Sequence, residues 1–171
     1  MAIRDFGDKS PQLGTDVYID EAATVIGDVH LHEGSSVWPG AIIRADDARV
    51  DIGKGSAMMD LSFAEAPLGS PVMISDRCLI SHAARLHGCV VLDECLIGIG
   101  AIVLDKAHIG ANSVVAAGAI VVPGTKIPSG SLVMGTPARV VRQTGPMDRE
   151  YLTRELEHVS DKARKYRLGK K

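Results

Sequence analysis

Aliphatic residues recur every six positions along much of this chain. They occupy thirteen positions in two runs: Ile19, Val25, Leu31, Val37 and Ile43, then Val91, Ile97, Val103, Ile109, Val115, Val121, Ile127 and Val133. A period of six fits neither the α-helix, with about 3.6 residues per turn, nor the simple alternation of an isolated strand. It is typical of a parallel β-helix, in which each hexapeptide forms one face of a triangular coil and points its aliphatic side chain inward.

Small or turn-forming residues fall where the corners of such coils would lie, namely at Gly98, Gly110, Ala116, Gly124 and Gly130. We expect glycine at corners because it adopts positive φ without steric cost. Stacked coils bury one aliphatic column and stabilise each other through neighbour contacts, so the core needs few aromatic residues. The composition agrees, with 46% hydrophobic and 4% aromatic residues.

Two breaks interrupt the six-residue series, at residues 46–51 and 65–71. Both are rich in charged or turn-forming residues, and they predict loops that leave the coil. Loops on a rigid scaffold commonly carry function. Residues 1–14 predict an irregular lead-in, and the coils themselves are expected over 15–140.

The end of the chain has a different period. Over residues 146–167, apolar side chains recur at three- and four-residue steps, at Tyr151, Leu152, Leu156, Val159, Ala163 and Tyr166. This spacing predicts an amphipathic helix that packs on the solenoid. The chain is therefore divided into a β-helix domain, 1–145, and a C-terminal helix with a basic tail, 146–171.

Charge and length exclude several classes of function. The 171 residues carry a formal net charge of −2, with a pI near 6.3, which gives no basic footprint for nucleic acid or an anionic membrane. The N-terminal residues lack the apolar stretch of a signal peptide, and no run of about eighteen apolar residues occurs. These features predict a soluble, cytoplasmic protein. Cys78, Cys89 and Cys95 are odd in number and lack CxxC spacing, so we expect small buried hydrophobic residues rather than disulfides or a zinc knuckle.

The strongest candidate for chemistry is a pair of histidines inside the ladder, in Ile80-Ser81-His82-Ala83-Ala84-Arg85-Leu86-His87-Gly88-Cys89. Together with this histidine segment, other stretches match the motifs of one known protein family: Ile26-Gly27-Asp28-Val29, Ser36-Val37-Trp38-Pro39-Gly40-Ala41, Ile43-Arg44-Ala45-Asp46, Asp60, Leu96-Ile97-Gly98 and Gly135-Thr136-Pro137-Ala138. Over nearly its whole length the chain resembles the γ-class carbonic anhydrase-like hexapeptide-repeat proteins.

The resemblance implies an all-β solenoid, a left-handed parallel β-helix, assembled as a homotrimer. It also implies a divalent metal held between subunits by three histidines. His87 and the first ligand would come from one subunit, and His82 from its neighbour. Arg44 and Asp46 resemble the Arg-x-Asp pair that forms salt bridges at the trimer interface. Asp60 would lie in the same polar network or bond to a neighbour of a metal ligand.

The chain departs from the family pattern in the coil that supplies the first ligand. Glu65 stands where the family has a histidine, and no histidine lies between His32 and His82. Ala57 and Met59 replace the usual asparagine and glutamine, of which the glutamine helps orient the metal-bound water. These changes predict that CO2 hydration is weak or absent.

Glu65, His82 and His87 nevertheless remain a possible metal-binding set. One carboxylate and two imidazoles bind Zn²⁺ with an open position, or Fe²⁺ as a facial triad. Water activated there would attack CO2 or another carbonyl carbon, such as a thioester. The added negative charge would weaken this activation. The candidate catalytic residues are then Glu65, Asp60 and Arg44, and the predicted cofactor is Zn²⁺, with Fe²⁺ possible and the site able to be empty.

Two alternatives to metal-dependent chemistry stay open from the sequence. Glu65 is equally readable as a solvated loop residue, with the histidines making only hydrogen bonds, in a non-catalytic accessory or binding member of the family. A hexapeptide acyltransferase that uses acyl-CoA shares the fold, although fold alone does not carry function. Finally, His30 and His32 alternate on a strand and could mimic a ligand pair, but we interpret them as surface residues.

Overall fold

A computed structural model describes residues 2–169, with only the backbone of Ala2. Within these residues the chain forms a left-handed parallel β-helix of about seven turns with a single C-terminal helix, as predicted. No helix in this part of the chain is both long and apolar enough to cross a membrane. The strands are β1 (Ala2–Arg4), β2 (Gln12–Leu13), β3 (Tyr18–Ile19), β4 (Thr24–Leu31), β5 (Ser36–Val37), β6 (Ile42–Ile52), β7 (Ala57–Met58), β8 (Phe63–Glu65), β9 (Val72–Ile74), β10 (Leu79–Ile80), β11 (Arg85–His87), β12 (Val90–Val91), β13 (Leu96–Ile97), β14 (Ile102–Val103), β15 (His108–Ile109), β16 (Val114–Val115), β17 (Ile120–Val121), β18 (Lys126–Ile127), β19 (Ser131–Gly135) and β20 (Ala138–Gln143). The helix α1 spans Pro146–Gly169.

The strands stack in three parallel faces. Face 1 contains β3, β5, β7, β10, β13, β16 and β19, and β20 returns antiparallel beside β19. Face 2 contains β1, the first half of β4 and of β6, and then β8, β11, β14 and β17. Face 3 contains β2, the second half of β4 and of β6, and then β9, β12, β15 and β18. We call the corner between faces 1 and 2 the first corner, and the corner between faces 2 and 3 the variable corner.

The inward side chains form one continuous core. All thirteen residues of the predicted ladder are buried. The gap between the two runs is filled by six further buried residues in register with them: Ile52, Met58, Ala64, Ile74, Ile80 and Leu86. The aliphatic column therefore runs through the part of the chain where the sequence pattern was interrupted.

Consecutive core residues of the paired strands are six positions apart everywhere except at the variable corner. Nine residues separate Ile43 from Ile52 across that corner, and ten separate Ala64 from Ile74. The next coil is shorter by one, with five residues from Leu86 to Val91. The insertions and the deletion are thus confined to one edge of the solenoid.

Two sequence expectations need correction here. The predicted loop at residues 46–51 lies within β6, which runs unbroken through a register shift that places residues 46–49 opposite Asp28 alone. The ammonium of Lys9 donates to the carbonyl oxygens of Asp46 and Asp47 at 2.6 and 2.8 Å, which supports this bulge. The lead-in is not wholly irregular either, because β1 and β2 both pair with β4. Residues 66–71 do form a loop.

The corner glycines act in two ways rather than one. Gly124 and Gly130 have positive φ, of 70° and 69°. Gly98 and Gly110 do not, and their role is to allow close backbone approach. A Cβ at Gly98 would lie 2.5 Å from the backbone nitrogen of Ala117, a distance that backbone atoms cannot tolerate.

Helix α1 packs against face 1. Its buried residues are Leu152, Leu156, Val159 and Ala163, and they form an apolar cluster with Tyr18, Trp38, Ala57, Met59 and Leu79. Tyr166 stacks on Tyr18 with ring centroids 5.8 Å apart. The predicted periodicity therefore identifies the buried stripe, while Tyr151 and Tyr166 remain about half exposed at its margins. Lys170 and Lys171 of the basic tail lie outside the described residues.

The start of α1 is fixed by a carboxylate. Asp148 accepts a hydrogen bond from the backbone N–H of Gly145 at 2.7 Å, and both its oxygens receive the guanidinium of Arg142, at 2.7 and 2.9 Å. This reach-back to the residue before the first turn resembles a capping box, and Pro146 fits the first helical position. The hydrogen bond from Arg142, followed by that from Gly145, lowers the pKa of Asp148 to about 2.

We expect Asp148→Asn to destabilise the protein by about 1 kcal/mol near neutral pH, as loss of a helix cap does. Because the folded pKa is depressed, the stabilisation is present above the unfolded pKa of about 3.9 and is lost as pH falls toward about 2. Urea unfolding of both proteins at neutral pH and in acid measures this. The matched control is Asp161→Asn, since Asp161 forms an exposed pair with Arg164 on the same helix. A difference that persists unchanged in acid would contradict the assignment.

Candidate metal centre

Arg44, Glu65 and His87 lie on three successive coils at the end of face 2. Arg44 pairs in register with Glu65 across β6 and β8, and Glu65 pairs in register with His87 across β8 and β11. The residue before each of them points into the core, so strand alternation directs these three side chains outward. Neighbouring strands are about 4.8 Å apart, which lets the three polar side chains contact one another.

Glu65 is engaged by Arg44. The Nη2 group of Arg44 donates to Oε1 of Glu65, and the Glu65 side chain is only 19% exposed. This hydrogen bond raises the pKa of the Arg44 guanidinium, which therefore remains cationic. On its other side, Nε of Arg44 lies 3.6 Å from Oδ1 of Asp46. Neither of those two atoms has a hydrogen-bond partner within the described chain, and both are buried.

His87 is held by a different carboxylate. Its Nδ1 lies 3.0 Å from both Oδ1 and Oδ2 of Asp105. Its Nε2 faces Glu65, 4.0 Å from Oε2. A histidine whose Nδ1–H donates to a carboxylate presents the Nε2 lone pair on its opposite edge, which is the arrangement of most metal-ligating histidines. His87 and Glu65 thus bring one nitrogen and one oxygen within 4.0 Å of each other.

Gly88 makes this arrangement sterically possible. It has φ of 53°, and a Cβ there would lie 2.9 Å from Cβ of Ser70, 3.1 Å from Oδ1 of Asp105 and 3.3 Å from Cδ of Pro67. Glycine therefore lets the 66–71 loop and Asp105 approach the short step of the variable corner. The following residue, Cys89, is fully buried, and burial raises the pKa of its thiol to about 12.

His82 and Asp60 lie at the first corner. Nε2 of His82 is 3.4 Å from Oδ2 of Asp60, and both side chains line an open groove of about 1000 Å³ between that corner and the C-terminal half of α1. Trp38 and Lys162 also line this groove. His82 therefore has a different carboxylate and a different environment from His87.

The single chain does not assemble the predicted trio. Glu65 and His87 are brought together, whereas His82 belongs to another corner, and residues 2–169 contain no group of three His, Cys, Asp or Glu side chains able to hold a metal ion. A complete site with His82 would need a second subunit, as the resemblance implied.

Asp105 contacts His87 in the candidate site but is not predicted from the sequence. It lies eighteen positions after His87, which is one coil further along a solenoid with three six-residue faces. That period could have identified it. His30 and His32 make separate pairs, with Asp28 at 3.1 Å and with Asp51 at 2.7 Å, so they do not form one ligand pair. All three cysteines are buried and free, as predicted.

Comparison with known proteins gives close relatives over most of the chain. No protein-family model matches it. It is 44% identical over 154 residues to a probable carbonic anhydrase of Methanocaldococcus jannaschii, covering 90% of this chain and 92% of that protein. It is 36% identical over 162 residues to the mitochondrial gamma carbonic anhydrase 1 of Arabidopsis thaliana, covering 91% of this chain. It spans only 59% of the length of that plant protein.

Solved structures agree on the architecture. A hexapeptide transferase family protein from Anaplasma phagocytophilum superposes with a TM-score of 0.92 at 27% identity, covering 96% of this chain and 98% of that one. A putative acetyltransferase from Bacillus cereus gives a TM-score of 0.94 at 32% identity, covering 96% of each chain. The architecture of this chain is thus shared with proteins described as transferases.

The contact with Asp105 predicts the tautomer of His87. In protein treated with a chelator and held at alkaline pH, we expect the Nδ1–H form of His87, with Nε2 unprotonated. ¹⁵N-histidine NMR reports this directly, and Asp105→Asn should weaken the preference. His30 is the internal control, because its Nε2 faces Asp28 and should carry the proton. Observation of the Nε2–H form of His87 in the unsubstituted protein would refute the assignment.

Proposed function

The chain belongs to the γ-class carbonic anhydrase-like hexapeptide-repeat family, and from this premise we propose that it is a trimeric protein with a divalent-metal site at the seam between subunits. Glu65 and His87 would hold the metal from one subunit, together with His82 of the partner subunit. The reaction proposed for this site is addition of water to CO2 or to another carbonyl or thioester carbon. CO2 itself is proposed to be a poor substrate.

The donor atoms of Glu65 and His87 carry this proposal. They lie 4.0 Å apart, whereas two ligands of a tetrahedral zinc ion with bonds near 2.1 Å would be about 3.4 Å apart. A small rotation of the Glu65 carboxylate would close that difference. Zn²⁺ fits the oxygen and nitrogen donors, and Fe²⁺ fits two histidines with one carboxylate. When bound, such an ion would acidify water and polarise a carbonyl group.

The surface of face 2 supports the trimer. Its outward side chains are mostly apolar: Thr24, Ile42, Phe63, Arg85, Ile102 and Ile120. Those of face 3 are mostly polar: Gln12, His30, Asp51, Met73, Val90, His108 and Lys126. An apolar row beside Arg44, Glu65 and His87 is a suitable surface for another subunit, since monomers rarely expose large apolar patches.

Weak CO2 hydration follows from two features of the coil that carries Glu65. A carboxylate ligand adds negative charge, which reduces the power of the ion to acidify water. Ala57 and Met59, where the family has amides, are buried in the apolar cluster beneath α1 and offer no amide hydrogen bond. The residues that would orient water near the site are therefore depleted.

A non-catalytic role is the second candidate, and one observation favours it. Arg44 already neutralises Glu65 within the chain. An interface balanced by this ion pair would need no metal to compensate the charge. A binding or accessory protein built on the same trimer would then have the same fold and seam.

Metal content separates the two candidates. Protein purified without chelator should carry zinc, or iron if handled anaerobically, at up to one ion per chain. His82→Ala and His87→Ala should each release it, because each removes a ligand, while His158→Ala on the helix serves as the control. Light scattering should give a trimer throughout. A monomer, or a trimer that takes up no added Zn²⁺, would leave the metal-dependent proposal without support.

The amide losses predict how activity responds to reversion. Glu65→His alone should restore little CO2 hydration, since loss of groups that orient a metal site typically costs about 10–100-fold in metal affinity or activity. Glu65→His combined with Met59→Gln and Ala57→Asn should do visibly better. Stopped-flow assays with metal content and thermal unfolding checked in each variant measure this. Unsubstituted protein as active as an ordinary γ-class enzyme would disprove the argument.

A further inference from the structure

Arg44 lies between two carboxylates and forms a hydrogen bond with only one of them. Its Nη2 group bonds to Glu65, and its Nε lies 3.6 Å from Asp46, just beyond hydrogen-bond distance. The Nε atom and Oδ1 of Asp46 are both buried and without another partner in the described chain. A guanidinium with five donors in a fixed fork is well suited to move between two such acceptors.

Glu65 also has two possible partners. One of its oxygens, Oε1, bonds to Arg44, and the other, Oε2, faces Nε2 of His87 at 4.0 Å. A divalent ion next to His87 would draw the Glu65 carboxylate toward it and would repel the nearby guanidinium. Arg44 and the metal would therefore compete for one carboxylate.

We propose that Arg44 acts as a positioning residue that exchanges Glu65 for Asp46 when a divalent cation binds. This inference rests on the metal site proposed above. In the metal-free protein the Arg44–Glu65 pair balances the charge of the carboxylate. In the metal-bound protein Glu65 turns to the ion, and Arg44 shifts by a fraction of an ångström to bond fully to Asp46. The affinity for metal is then set by the difference between these two ion pairs.

The proposal makes two substitutions act in opposite directions. Arg44→Gln removes the competitor and should tighten Zn²⁺ binding. Asp46→Asn removes the charge that receives Arg44 and should weaken it. Because the Arg44 side chain is 43% exposed, each ion pair is worth little in water, and we expect changes of about fivefold in either direction.

Zinc affinity measured by competition with a chromophoric chelator tests this, with Co²⁺ absorption as a second measure of the coordination. Arg49→Gln is the matched control, since Arg49 lies on the same strand and pairs with Asp28 instead. Its affinity should equal that of the unsubstituted protein. If Arg44→Gln dissociates the trimer, Arg44→Lys replaces it in the test. Lysine keeps a cation at the seam but lacks the guanidinium fork, and this variant should also bind Zn²⁺ more tightly.

The outcomes separate this inference from the proposed function. Equal affinities in the unsubstituted protein and in the Arg44 and Asp46 variants would overturn the exchange and leave the metal site standing. Weaker binding in both sets of variants would indicate a purely structural role for Arg44 and would also overturn it. If the unsubstituted protein, Arg44→Gln and Arg44→Lys all fail to bind zinc, both the exchange and the metal site are rejected.

Discussion

The hydrogen bonds between successive coils are the constraint on which this structure depends. Each strand pairs in register with the strand one coil away, so a side chain's height on the solenoid is fixed by its place in the repeat. Across the first corner, and across the corner between faces 3 and 1, consecutive core residues are always six positions apart. Any change in chain length must then be absorbed where the backbone can leave the coil without breaking that pairing.

The variable corner absorbs all of it, and it is also where the candidate metal centre lies. The longer steps after Ile43 and Ala64 produce the bulge in β6 and the 66–71 loop. The shorter step after Leu86 brings Gly88 under that loop and next to Asp105. The regular pairing supplies the column of Arg44, Glu65 and His87, and the irregular corner supplies the surroundings that orient them.

The amino-acid sequence predicts the scaffold better than it predicts the site. Core positions could be identified because each buries an aliphatic side chain at a fixed period, and the helix because its buried stripe recurs at three- and four-residue steps. The charged residues Asp46 and Asp47 suggest a loop, but the segment stays in β6, where Lys9 bonds to their backbone carbonyl oxygens. Asp105 was missed because its partner lies one coil away. The contact between Arg44 and Glu65 depends on rotamers, which no periodicity encodes.

Charge balance separates this site from one built on three neutral histidines. Glu65 brings a negative charge to the candidate site, and Arg44 offsets that charge from the adjacent coil. The carboxylate is thus already stabilised in the free chain, where a histidine at this position would leave Arg44 to Asp46 alone. With Glu65 present, the set of Arg44, Glu65 and His87 should depend less on a metal ion for its electrostatic balance.

The same coil links the packing of the helix to the polarity of the site. Ala57 and Met59 lie beneath Leu152, Leu156 and Val159 in one apolar cluster. A buried amide at either position would cost about 1–3 kcal/mol unless it were hydrogen-bonded. Apolar residues there favour docking of the helix, but they also remove donors from the coil that carries Asp60 and Glu65. In the trimer proposed above, a coil of this composition would offer fewer groups to orient a reacting water molecule.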